Sequence, residues 1–164
     1  MKEDGTVVVR TRTACERIGA SDILVGVLDS AVPSGVAYAQ VLPSDWTNYY
    51  PTGLVALPTI GLDQELKATV QDGNGFYTGA SQVPSDTNRL AYYESKVEGD
   101  SGHGSFILVG TNVVFRTHWV TGGAGWGPEN VDYHEEINAA ITNLGANGYY
   151  LEDVDLTGYT DWSL

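Results

Sequence analysis

The chain has 164 residues, with 21 acidic against 8 basic side chains and a formal net charge of −13. That is one domain's worth, or two small lobes, long enough to bury a core without metals or disulfides. The acidic balance argues against a basic footprint for DNA, RNA or an anionic membrane, and no apolar run approaches the roughly 18–20 residues of a membrane span.

Cys15 is the single cysteine, which excludes an intrachain disulfide and a cysteine-based zinc site. The 20 glycines and 6 prolines are spread along the chain with aromatic residues between them. Their combined share exceeds the usual figure of about 12%. Short strands joined by tight turns are the expected consequence, and the fold class read from this pattern is all-β.

Residues 6–13 are rich in valine and threonine and read as a first strand. Residues 23–28, Ile-Leu-Val-Gly-Val-Leu, form a short apolar run expected to be buried on both faces, after a turn at Gly19-Ala20-Ser21-Asp22. Residues 33–58 carry Pro33, Pro43, Pro51 and Pro58 with Trp46, Tyr49 and Tyr50, and read as a linker crossing the surface between two lobes. The predicted division is 1–50 and 51–164.

In the second part, strands are expected at 54–57, 68–70, 89–93, 105–109 and 113–119. Residues 62–70 fit a helical spacing as well. Asp72-Gly73-Asn74-Gly75 is a hairpin-turn signal, and 122–127 is a glycine-rich loop. One helix is predicted at 132–144. Asp132 and Glu135 have capping-box spacing, Tyr133, Ile137, Ala140, Ile141 and Leu144 share a face, and Gly145 stands where a helix-ending glycine belongs.

The segment with chemical potential is Glu98-Gly99-Asp100-Ser101-Gly102-His103-Gly104. Glycines on both sides of a serine permit a tight turn that presents the hydroxyl and converges main-chain N–H groups. Acyl transfer needs such donors where charge develops on the substrate carbonyl. A turn of the same sequence without chemistry is the alternative reading of these residues.

Gly99-Asp100-Ser101-Gly102 resembles the nucleophile motif of trypsin/chymotrypsin-like serine peptidases. Upstream, Ser21-Asp22-Ile23-Leu24-Val25 is similar to the strand that carries that family's triad aspartate. Downstream, Arg116-Thr117-His118-Trp119 with the 122–127 loop looks like the strand and loop lining its cleft, and one C-terminal helix follows. The resemblance spans about 6–144 and implies a double β-barrel whose first barrel is incomplete here. It implies Ser101 as nucleophile, Asp22 as the carboxylate orienting the base, and the N–H groups of Gly99 and Ser101 as oxyanion hole. Asp100 and Gly102 would shape the turn, and Ser95 would lie at the base of the specificity pocket, where an uncharged group disfavours Arg or Lys. Thr117, His118 and Trp119 would bind the substrate backbone by β-addition. A polypeptide substrate or ligand is implied, and no cofactor or metal.

The base departs from the pattern. His103, His118 and His134 are the only histidines, and none precedes Asp22 as the family requires. In Ser-His-Asp triads, loss of the histidine alone costs about 10⁶-fold in kcat, so negligible activity is expected of this chain. A half-barrel leaves strands with open edges, which favours an N-terminally truncated piece of a larger peptidase over a complete base-less member. Acidity with few lysines suits an extracellular setting for the full-length parent.

A non-catalytic β module is the main rival, presenting Trp119, Trp126, Tyr92 and Tyr93 to a peptide or glycan. A glycosidase pair is poorly served by the adjacent Glu135 and Glu136. Asp153-Val154-Asp155 reads as a solvated acidic edge in preference to a calcium site.

Overall fold

The computed structural model describes residues 7–36, 38–49, 102, 104–118 and 126–160, together with the backbone of five short strands between 54 and 91. Strands β1 (Arg12–Arg17) and β2 (Leu24–Leu28) form an antiparallel hairpin. Its turn closes through Ile18 N–H to the Ile23 carbonyl and Ser21 N–H to the Ile18 carbonyl, both 3.0 Å. The buried Ser21 hydroxyl donates to the Ile18 carbonyl and accepts from Ile23 N–H. One small polar side chain thereby satisfies two main-chain groups.

Two expectations for this hairpin need correction. The first strand starts at Arg12, and Val7 and Val9 before it are exposed. β2 is not buried on both faces: half-buried Val25 and Val27 alternate with exposed Leu24 and Leu28. Among the described residues the ladder has two strands, and Leu24 and Leu28 stay exposed on one of its faces.

Next in the chain come β3 (Leu54–Ala56), β4 (Thr59–Leu62), β5 (Ala68–Gln71), β6 (Gly75–Tyr77), β7 (Arg89–Ala91), β8 (Gly104–Val109), β9 (Asn112–His118) and β10 (Trp126–Pro128). An antiparallel sheet of four strands runs β5-β4-β8-β9, while β3 pairs with β6 and β7 with β10. The 62–70 ambiguity resolves toward strand, since Leu62 closes β4 opposite Ala68 of β5. The Asp72–Gly75 signal does not make a hairpin of its flanks: β5 pairs with β4, and β6 with β3. Within the expected glycine loop, Trp126 and Gly127 belong to β10, and 122–125 lie outside the described residues.

β8 and β9 join through a two-residue turn at Gly110-Thr111, where Gly110 takes φ +61°. Tight hairpins favour glycine there because a left-handed residue matches the strand twist. Beyond β9 the sheet is extended by irregular backbone. Gln40 pairs in parallel with Val114, and Val41 with Asp153. Val41 N–H donates to the Glu152 carbonyl and Val154 N–H to the Val41 carbonyl, both at 2.9 Å. The segment expected as a surface linker therefore supplies core: Val41, Leu42 and Trp46 are buried.

The helix is shorter than predicted. A 3-10 turn (Asn130–Tyr133) precedes α1 (His134–Asn143), and Tyr133 stands at its N-cap without a side-chain cap bond. Asp132 lies inside the 3-10 turn, one residue before that N-cap and not at it as predicted. The other end is as expected. Gly145 has φ +80°, its N–H donates to the Thr142 carbonyl at 2.9 Å, and Ala146 N–H donates to the Ile141 carbonyl at 3.1 Å. That is the paired closure of a Schellman motif.

Two apolar clusters organise the interior. Leu42, Trp46, Ile107, Val109, Val114, Val131, Val154 and Leu156 pack together, with Tyr159 against them. Ile18 and Ile23 from the hairpin pack on Ile137 and Ala140 from α1. The protein is mostly strands plus one helix, and no closed barrel forms among the described residues.

Candidate functional site

Asp22 ends the β1–β2 turn, and its side chain is exposed. Its main-chain carbonyl accepts a 2.9 Å hydrogen bond from Nε2 of His118, the last residue of β9 and 96 positions away. A carbonyl can only accept, so Nε2 is the donor in this contact.

β8 brings Gly102 to the same place. His118 pairs with Gly104 at the start of β8, and Gly102 just before that strand takes φ +89°, a region that side chains beyond glycine rarely enter. Asp22, Gly102 and His118 all line one cavity of about 510 Å³, shared with Arg12 and Asn130. Three of the residues singled out from the sequence thus meet at one hollow.

Thr117 is fully buried. It pairs with Ser105 on one side and bridges Glu129 on the other, and its hydroxyl donates to the Pro128 carbonyl. Its position is therefore not a free edge, which corrects the expectation of β-addition at Thr117. Ser95, Gly99, Asp100, Ser101, His103 and Trp119 lie outside the described residues. His134 serves elsewhere: its Nε2 is 2.7 Å from Asp153 Oδ1, tying α1 to the C-terminal segment. Asp155 accepts from Thr157 N–H, a bond that holds its carboxyl below the ordinary range. Among the described residues no cluster of three or more His, Cys, Asp or Glu could hold a metal ion.

Two features next to the cavity were not anticipated from the sequence. Arg116 is 1% exposed, and its Nε donates to both carboxylate oxygens of Glu129, at 3.1 and 3.0 Å. Burial pushes the Glu129 carboxyl up to about 7, opposed by Arg116 and reinforced by the nearby Asp132. The available signal was an arginine inside the apolar strand 113–119 with a lone glutamate before the helix. Asn130 is the second feature. It is 5% exposed, and its Nδ2 makes no hydrogen bond among the described residues. In the sequence it looks like an ordinary helix-start residue.

No helix among the described residues is long and apolar enough to cross a membrane. Comparison with protein-family models, with curated proteins and with solved structures finds no match to this chain.

Proposed function

We propose that this chain carries the nucleophile side of a serine endopeptidase cleft, in an architecture akin to the trypsin-like double barrel. Ser101 is the nucleophile, Asp22 the orienting carboxylate, and the N–H groups of Gly99 and Ser101 the oxyanion donors. What supports the reading is the meeting of Asp22, Gly102 and His118 around one cavity, although the sequence separates them widely. The positive φ of Gly102 fits a tight turn beside a presented hydroxyl. His118 does not stand as the triad base, because its Nε2 donates to the main-chain oxygen of Asp22 and not to the carboxylate that would orient a base. Negligible turnover follows.

Chemical rescue tests this. Free imidazole is small enough to enter the cavity that Asp22 and Gly102 line and to act as the base. A fluorophosphonate probe should then label Ser101 at a rate that rises with imidazole and is lost in Ser101→Ala and Asp22→Asn. Absence of labelling at saturating imidazole, with the fold intact, would refute the reading.

A non-catalytic peptide- or glycan-binding module is the second reading. It is favoured by the apolar character of the cavity wall, where Ile23, Val25 and Phe115 stand.

A further inference from the structure

Asn130 opens the 3-10 turn that leads into α1, directly after Glu129 is fixed by its bridge to Thr117. Asn130 lines the cavity together with Phe115 from β9, Ile137 from α1, and Ile23 and Val25 from the hairpin. The donor Nδ2 is shielded from solvent and meets no acceptor among the described residues. Buried polar groups are almost always paired, so an orphaned donor beside a roomy cavity marks a place where a ligand acceptor belongs. The amide torsion of asparagine is broad, so turning Nδ2 toward such an acceptor costs little.

The cavity volume of about 510 Å³ is ample for one apolar side chain and its adjoining peptide group. We propose that the cavity is a subsite for an apolar residue of a peptide, and that Asn130 Nδ2 donates to the carbonyl oxygen next to that residue. Apolar walls take the side chain, and the Asn130 donor fixes its direction. The identification of the ligand as a peptide rests on the function proposed above; the pairing of apolar body with carbonyl acceptor does not.

The test uses the full chain and N-acetyl-L-phenylalaninamide, followed by amide NMR. Saturable shifts should cluster at Ile23, Val25, Phe115 and Ile137, and the Asn130 side-chain NH₂ resonances should move with them. N-acetylglycinamide, which has the carbonyls without the apolar group, should produce no saturable shift. Asn130→Leu should weaken the phenylalanine probe about tenfold, the scale of one hydrogen bond, while melting no lower than the parent chain. No saturable binding, shifts confined to other surfaces, or an unmoved Asn130 NH₂ signal at saturation would overturn the proposal. So would undiminished affinity in the variant. Ser101 labelling without probe binding would sink this inference and leave the peptidase reading standing. Probe binding without Ser101 labelling would do the reverse.

Discussion

His118 Nε2 and the main-chain oxygen of Asp22 stand 2.9 Å apart, so the end of β9 is clasped to the turn of the N-terminal hairpin. The clasp joins two residues that line the cavity, and Gly104, paired with His118, follows the lining residue Gly102 by two positions. His118→Leu should lower stability by about 0.5–1 kcal/mol, the low end for a hydrogen bond, since the freed carbonyl can turn to water. A fall in the urea midpoint at unchanged slope is the expected readout. A larger loss would mean that His118 is chiefly a packing residue.

The Arg116–Glu129 pair makes stability depend on pH. The Glu129 carboxyl is raised from 4.5 to about 7 by burial, so the folded state holds its proton over a range where the unfolded chain has lost it. Stability contributed by that proton is present below pH 4.5 and is lost as pH rises through 7. Glu129→Gln should therefore show a flatter decline in melting temperature between pH 5 and 8 than the parent chain. Glu129→Ala should be worse at every pH, by about 1–3 kcal/mol, because it removes the acceptor of the buried Arg116 Nε whether or not the carboxyl is protonated. Equal slopes in the parent and the Gln variant would contradict this account.

Gly102 and Gly104 are required for different reasons. At Gly102 a Cβ would have open space, but φ is +89°. Gly102→Ala should cost about 1–2 kcal/mol through backbone strain alone. At Gly104 a Cβ would lie 2.7 Å from Cζ of Phe106, whose ring packs 5.4 Å from that of Phe115. Gly104→Ala should cost about 1–3 kcal/mol through overpacking. Combining it with Phe106→Leu should recover part of that loss, whereas the same partner should do nothing for Gly102→Ala. A double-mutant cycle in denaturant reads both.

What was legible in the sequence was what local chemistry decides. The end of α1 at Gly145, the Gly19–Asp22 turn and the valine-rich β9 all follow from residues within a few positions of one another. The start of α1 was misread because Asp132 is drawn into a 3-10 turn anchored by Glu129, whose position depends on Arg116 and Thr117 from another strand. Non-local pairing also hid the role of 40–42. Nothing in Gln40-Val41-Leu42 announces a parallel bridge to β9 on one side and to Asp153 on the other. For the site, residue types pointed to Asp22, Gly102 and His118, but Asn130 becomes informative only once the cavity beside it is seen.

The peptidase proposal requires the Ser101 hydroxyl to open onto the hollow shared by Asp22 and His118. Nuclear Overhauser contacts from the Ser101 amide and Hβ protons in the unmodified chain test it most directly. Contacts to Asp22 Hβ and to the His118 ring are predicted. Contacts from Ser101 only to residues remote from that cavity, with Asp22 and His118 fully assigned, would contradict the account.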